Sequence, residues 1–439
     1  MKSGTNPLDA QQKALEINLD PTIFGSFAEI GAGQEVARWF LRVGAASGTV
    51  AKTVSAYSKP VSDSLYGSGS RYVSMQRLEA MIGQEWNLLL MQLQQSIDSQ
   101  TRLFAFADTV SARNFAGTNE CHGWMGIRFQ DSPSGLANDV LLHLNLRDSS
   151  NVAQQEALGV VGVNLIYAVF HLRHGMVVFL KSLLDQVTAQ RVEVDFIELR
   201  GPAFEGWDRQ EALLSLVRAG LAEAVMLSAG KHQAPPTEVL RKKTIVLTPF
   251  ARKGNESSQQ NILSAAMRQL KAESGGEVSE PFPLVALSTL SSDLPYATSN
   301  PNDLPRSVED LRTTGCDTLV FGYNEFYRMT AFVNRYTKSP VRFAIDVTAL
   351  IHFFSQAHGA LQGRLLEGLS KLFAQNVRVY AYPATASVMR VLASELPTWQ
   401  WEENSGWITA DAVTPPGPLG HLYSYLIASG FVVPMRGIS

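Results

Sequence analysis

The chain has 439 residues, with 37 Lys and Arg against 40 Asp and Glu, a formal charge of −3. Hydrophobic residues at 45% and charged ones at 18% describe a globular chain with room for two or three domains and exclude a disordered one. The near balance of charge argues against a dedicated nucleic-acid binder, which shows a basic excess, but permits a small anionic ligand, which needs only a local field.

From the N-terminus, MKSGTNPLDAQQKALEINLD lacks the apolar core of a signal peptide. GSFAEI then reads as a strand and QEVARWFLRV as a helix, with Gly31 and Gly33 at the turn between them. SMQRLEAMIGQEWNLLLMQLQQSI spaces Met75, Leu78, Met81 and Ile82 by three and four, an amphipathic helix with Ser74 as its N-cap. RLFAFADTV, GWMGIRFQD and DVLLHLNLR follow as strands, and the turn-like SPSGLAN between the last two predicts an antiparallel meander. Asn151 is placed to cap the next helix, with Gln154 reaching back, and Gly159 and Gly162 allow another element to come close. The apolar run in ALGVVGVNLIYAVFHLRHGMVVFL is broken by Asn164, His171, Arg173 and His174, short of the ~20 apolar residues a spanning helix needs. A cytoplasmic protein with no membrane partner is therefore expected. MVVFLKSLLDQV reads as helix, RVEVDFIEL as strand, DRQEALLSLVRAG as helix and AEAVMLS as strand.

The prolines and charges of AGKHQAPPTEVLRKK suit an exposed linker, which divides the chain into 1–229, a linker at 230–243, and 244–439. Beyond it the strands TIVLTPF, LVALSTL, CDTLVFG, VRFAIDV and VRVYAYP alternate with the helices QNILSAAMRQLKAE, SVEDLRTTG, NEFYRMTAFVNRYT, GRLLEGLSKLFAQ and LGHLYSYLIASG. SSDLPYATSNPNDLP is a long polar loop, and Asn324 sits in an N-cap position. The fold class expected is α/β: a first part with a mixed sheet that includes the meander, and a second part mostly parallel and doubly wound.

The glycine turn is the most site-like feature. A strand feeding a helix leaves the first helical N–H groups unpaired, and with the helix dipole they attract anions. Gly31 and Gly33 let the backbone approach a phosphate, Arg38 and Arg42 lie one turn apart on the following helix, and a second glycine turn offers Gly48, Thr49 and Lys52. No acidic residue occurs from Val36 to Ser62. The specific phosphate motifs do not fit: Val36 stands where the dinucleotide fingerprint needs its third glycine, and Gly44, Gly48 and Lys52 have the wrong spacing for a P-loop. AEIGAGQE resembles the first motif of S-adenosylmethionine-dependent methyltransferases, with Glu35 where the last glycine belongs.

Elsewhere, Cys121 and His122 are adjacent on an extended segment and point to opposite faces, which disfavours a thiolate pair. Asp108 at a strand end suits turn capping, and Asp195 and Asp346 inside apolar runs suit buried hydrogen-bonded groups. The eight histidines lack metal-ligand spacing, as do Cys121 and Cys316. Trp399, Trp401 and Trp407 fall in a Glu-rich stretch read as irregular, covering core or interface.

LEINLDPTIFGSFAEIGAGQEVARWFLRVGAASGTVAKTVSAYS, NVAQQEALGVVGVNLIYAVF, GPAFEGWDRQEALLSLVRAGLAEAVML and the closing ITADAV and HLYSYLIASGFV resemble an uncharacterised bacterial α/β protein family, over most of the chain. Its members sometimes carry the label TonB-dependent receptor, at odds with this sequence, or nicotinamide-mononucleotide adenylyltransferase, which implies a nucleotide substrate. No H-x-G-H of a nucleotidylyltransferase occurs, so the resemblance implies no catalytic residue or cofactor. The leading expectation is a phosphorylated or nucleotide-like anionic small molecule bound at Gly31, Gly33, Arg38, Arg42, Gly48, Thr49 and Lys52. The alternatives are a non-catalytic scaffold that self-assembles as a homo-oligomer, with the glycines serving packing, and a methyltransferase.

Overall fold

The structure is a computed structural model. It describes residues 8–93, 100–230, 232–250, 256–275, 280–289, 315–360 and 365–436. The chain divides into two compact units, Met1–Val225 and Met226–Ser439. Both are α/β, as the alternation of patterns predicts.

The first unit opens with α1 (Ala10–Leu19), which starts where it does because Asp9 and Gln12 form a reciprocal capping box. β1 (Ile23–Ile30) leads through the glycine turn into α2 (Glu35–Val43). A single 3-10 turn then enters β2 (Val50–Val54), so the second glycine turn expected from sequence is the approach to a strand that carries Lys52. α3 (Lys59–Tyr66) and α4 (Met75–Leu93) follow, the latter capped by Ser74, whose hydroxyl accepts from Arg77 N. β3 (Arg102–Ser111), β4 (His122–Gln130) and β5 (Ala137–Leu146) form the expected meander, and β6 (Val192–Arg200) extends it. The sheet order is β2-β1-β3-β4-β5-β6, with β1 parallel to both β2 and β3.

Between β5 and β6 run α5 (Asn151–His171) and α6 (Met176–Ser182). Ser150, and not Asn151, caps α5: its side chain accepts from Ala153 N, while Gln154 turns to the Asp148 carbonyl. Among the described residues α5 alone is long and apolar enough to cross a membrane, and 67% of its most apolar window is buried inside the protein. It is held as a core helix by the sheet: Phe104 and Phe129, paired across β3 and β4, both meet Phe170 edge-on. On the same face Phe27 contacts Phe40 of α2. Buried rings of this size stabilise by roughly 1.5–3 kcal/mol each. α4 covers the opposite face, where Ile82 comes close to Gly126. α7 (Arg209–Arg218), capped by Asp208, ends the unit.

The second unit takes β7 (Ala224–Leu227) as an edge strand. The stretch 230–243 read as a linker belongs to this unit: α8 (Pro236–Leu240) buries Pro236, Thr237 and Leu240, so its prolines start a packed helix. β8 (Ile245–Pro249), α9 (Glu256–Glu273), β9 (Phe282–Ser288) and β10 (Asp317–Phe321) come next. The loop SSDLPYATSNPNDLP and all but the last residue of SVEDLRTTG lie outside the described residues. The helix Phe326–Tyr336 begins after Glu325 and lacks a side-chain cap, so Asn324 does not serve as one. β11 (Val341–Asp346) and β12 (Val377–Tyr382) flank the helices Val347–Ala360 and Leu365–Leu372, and the strand Val432–Pro434 closes the sheet. Trp401 and Trp407 lie in two-residue ribbons instead of irregular chain, and Trp399 is buried.

From the edge opposite β7, the order is Val432–Pro434, β12, β11, β8, β9, β10. Every pair from β10 across to Val432–Pro434 is parallel. Counting from β8 as first, this is 6-5-4-1-2-3, the doubly wound order whose direction of winding reverses between the first strand and the fourth. Sequence patterning gives the parallel class. The order rests on pairings between strands up to about a hundred residues apart and is not visible locally.

Candidate functional site

In the first unit the winding reverses between β1 and β3, since the chain goes from β1 outward to β2 and returns to β3 on the other side. The carboxyl ends of these two strands place Glu29 opposite Asp108 in register. Both side chains are about 1% exposed. Glu29 turns toward α2, and its two carboxylate oxygens accept from Val36 N at 3.0 Å and Ala37 N at 2.9 Å. A carboxyl group does occupy these helix-end amides, and it comes from the chain itself. Asp108 accepts from Ile30 N at 3.3 Å through one oxygen, while its other oxygen is buried without a hydrogen-bond partner.

Two buried carboxyl groups thus share one site, and among the described residues no cation pairs with either. Burial pushes Glu29 up to about 7, against the pull of its amide donors. Burial, and then the neighbouring Glu29 charge, push Asp108 well above the ordinary aspartate range. Like charges this close favour retaining a proton between them. Asp108 is therefore half of a buried pair and not the turn cap its sequence position suggests.

The seven residues singled out from sequence are divided by the structure. Gly31 has φ +102°, and a Cβ there would stand 1.9 Å from the Val110 carbonyl oxygen, so its need is close packing on β3. Gly33 has φ +80°, and a Cβ there would meet side-chain atoms of Glu35 and Gln155 at ordinary contact distance, 3.7–3.9 Å. The amides expected to hold ligand oxygens near Gly48 donate within their own turn, Gly48 N to Ala45 O and Thr49 N to Ala46 O. Thr49 is fully buried. Lys52 is paired with the buried Glu85 at 2.8 Å and so is committed to the protein. Arg38 pairs with Glu35 at 3.0 Å. Arg42 lies over the Trp39 ring at 5.7 Å. Gly159 and Gly162 seat α2 on α5, since a Cβ on Gly162 would be 2.3 Å from Val36.

Along the outer side of α2 lies a shallow, open cleft of about 480 Å³. Gln34, Glu35, Ala37, Arg38, Leu41, Arg42 and Thr53 line it. Gln34 and Thr53 are joined by a 2.9 Å hydrogen bond that ties the start of α2 to β2. Glu35 offsets Arg38, so Arg42 leaves the cleft with a net positive charge. Arg38 and Arg42 are thus brought together, whereas Gly48, Thr49 and Lys52 do not reach this surface as ligand groups.

Sequence reading missed a second buried network, on β4, β5 and β6. His143 is fully buried, with Nδ1 2.6 Å from an Asp195 oxygen and Nε2 3.1 Å from His122 Nδ1. A carboxylate only accepts, so His143 donates to Asp195, and a neutral His143 then accepts from His122. Asn145 holds the other Asp195 oxygen at 2.8 Å, and Arg147 holds Glu193 at 2.6 Å. Burial, with the Asp195 charge next, raises Glu193. Asp195 is the hydrogen-bonded core group its apolar surroundings suggest. Its partners lie some fifty residues away on a neighbouring strand, beyond any local signal. Among the described residues no group of three or more His, Cys, Asp and Glu is arranged to hold a metal ion.

No family model matches the chain, and no curated protein matches it. Two solved structures are similar to part of it. One is the competence/damage inducible protein CihA from Agrobacterium tumefaciens, 20% identical, covering 38% of this chain and 98% of that one, with a TM-score of 0.28. The other is a competence-damaged protein (CinA) superfamily protein from Enterobacter cloacae, 12% identical, covering 38% and 97%, with a TM-score of 0.27. Likeness at this level carries no argument about activity.

Proposed function

We propose that the first unit binds a small anionic molecule, phosphorylated or nucleotide-like, in the cleft along α2 of a cytoplasmic protein. The observation that carries this reading is Arg42. Its side chain is exposed in a cleft of about 480 Å³, over the Trp39 ring, with no carboxylate partner among the described residues. The Arg42 guanidinium lies 5.7 Å from the Trp39 ring centroid, and its fork of donors suits the oxygens of a phosphate or carboxylate. Arg38 can exchange Glu35 for a ligand oxygen, because an exposed pair one turn apart is worth only about 0.3–0.5 kcal/mol. Gln34 and Thr53 supply neutral hydrogen-bonding groups at the cleft's end. This replaces backbone amides with side chains as the anion-holding groups.

Thermal-shift and calorimetric titrations with inorganic phosphate, sugar phosphates and mononucleotides test the reading. At a ligand concentration 100-fold above Kd, stabilisation of about 2.7 kcal/mol is expected. Arg42→Glu should abolish it without lowering the melting temperature of the unliganded protein. Absence of stabilisation by every anion, or undiminished binding by Arg42→Glu, overturns it.

A further inference from the structure

The buried carboxyl pair stands behind the wall of the α2 cleft. Both oxygens of Glu29 are taken by the first turn of α2, through Val36 N at 3.0 Å and Ala37 N at 2.9 Å. Ala37 lines the cleft, as do Gln34 and Glu35 just before it. One helical turn thus carries a carboxyl group on its inner side and cleft residues on its outer side. Glu35 joins the two. Its carboxylate pairs with Arg38 at 3.0 Å in the cleft. Its charge also reaches inward: burial is the main cause that raises Glu29, and the Glu35 charge adds to it against the pull of the two amides. A negative charge on the cleft side therefore favours the protonated form of Glu29.

The pair is built to respond. Glu29 and Asp108 stand side by side in register, both about 1% exposed, and one Asp108 oxygen has no hydrogen-bond partner. Two carboxyl groups so placed do not ionise independently. Around them β4 sets Met125 beside Asp108, β2 sets Thr53 beside Phe27, and α5 brings Gln155 against Gly33, all uncharged. Lys52 of β2 is engaged with Glu85, and Arg113, just past β3, packs its guanidinium on Gly117. α1 meets α2 at its other end, where Asn18 bonds to the Phe40 and Gly44 carbonyls. An anion in the cleft adds to the Glu35 charge. On the α2 reading it also draws Arg38 away, which leaves Glu35 without its counter-charge. Both changes increase the proton affinity of Glu29, and the proton passes from solvent to its carboxylate. Such coupling is reciprocal, so a proton on Glu29 tightens anion binding by the same factor. For charges about 10 Å apart, the width of a helix, that factor is roughly three- to tenfold.

Resting on the α2 reading, we infer that anion binding in the cleft is coupled to uptake of a proton by the Glu29–Asp108 pair. The test is calorimetric titration of the full chain, in buffers of different ionisation enthalpy, with sulfate, whose charge is constant above about pH 5, and with inorganic phosphate, whose own titration is subtracted with Glu29→Gln. Binding is expected to be about three- to tenfold tighter at pH 5.5 than at pH 8.5, with net proton uptake near pH 7, where Glu29 titrates. Glu29→Gln, a neutral match for the protonated acid, should bind sulfate equally at both pH values without proton uptake. In the unliganded protein Glu35→Gln takes the negative charge out of the cleft, so carboxyl NMR should show Glu29 titrating at lower pH than in the parent chain. Affinity independent of pH, a pH dependence that survives in Glu29→Gln, or a Glu29 midpoint unmoved by Glu35→Gln overturns the coupling and leaves the α2 reading standing. Absence of binding by sulfate, phosphate and mononucleotides at every pH overturns both.

Discussion

The two sheets solve the same topological situation in opposite ways. At the reversal of the first sheet, β1 stays paired with β3 to its last residue, Ile30 opposite Thr109, and β3 runs on for two residues beside β4. Gly31 presses on Val110, and Glu29 occupies the helix-end amides. At the reversal of the second sheet, β8 and β11 separate three residues before β11 ends. Topology thus marks a place for a ligand, and the residues at the strand ends decide whether the protein fills it. In the first unit an internal carboxylate does what a bound anion does elsewhere, and the exposed chemistry moves to the outer side of α2.

The largest expected effect comes from forcing the closed end apart. Gly31→Val adds a side chain where the Val110 carbonyl already stands, in a backbone conformation that β-branched residues avoid. A loss on the order of 4 kcal/mol from the first unit's unfolding transition is expected in urea denaturation. A loss under about 1 kcal/mol would mean the glycine turn is not packed as described.

The carboxyl pair gives the next effect, with a defined sign. Glu29 titrates in the folded protein near 7, above its ordinary 4.5, so its protonated form is favoured by folding. The associated stability is complete below about pH 4.5 and is lost as pH rises through about 7. The shift corresponds to on the order of 3 kcal/mol. Asp108→Asn removes a buried acid that folding keeps protonated at a cost that grows with pH, and Asn can still accept from Ile30 N, so it should stabilise the first unit at pH 8 and change little at pH 4. Chemical denaturation at both pH values reads this, and an equal effect at the two would contradict it.

Smaller effects test how α2 is seated and what its outer side does. Gly162→Ala places a methyl group against Val36 and should cost about 1–3 kcal/mol. Arg42 is exposed and, among the described residues, lies over Trp39 without a carboxylate partner, so the effect of Arg42→Glu on unliganded stability should stay within about 0.5 kcal/mol while anion binding is lost.

Much of the architecture is legible in the sequence because it is written in periodicity. The meander from Arg102 to Leu146 and the strand–helix alternation after Ile245 both follow from it. β2 escapes because VAKTV is short, half-exposed and polar at Lys52 and Thr53, which makes it resemble the turn before it. The site is less legible. Glu29 stands in plain view beside Gly31, but what it does depends on Asp108, brought alongside by a strand pairing 79 positions away. Lys52 reads as an available cation until the fold puts Glu85 against it. Arg38 and Arg42 do line one surface, because helical spacing alone places them together. The His143–Asp195 contact and the parting of β8 from β11 are pairings between distant strands, for which a single sequence holds no local signal.

Side-chain carboxyl NMR of 13C-labelled protein, followed from pH 3 to pH 9, tests most directly whether the first reversal is filled by the chain's own acids. Glu29 should titrate with a midpoint near 7, Asp108 should hold its proton well above the usual aspartate range, and the two curves should be coupled. Midpoints near 4 for both residues, independent of each other, would show two solvated carboxylates and contradict the account.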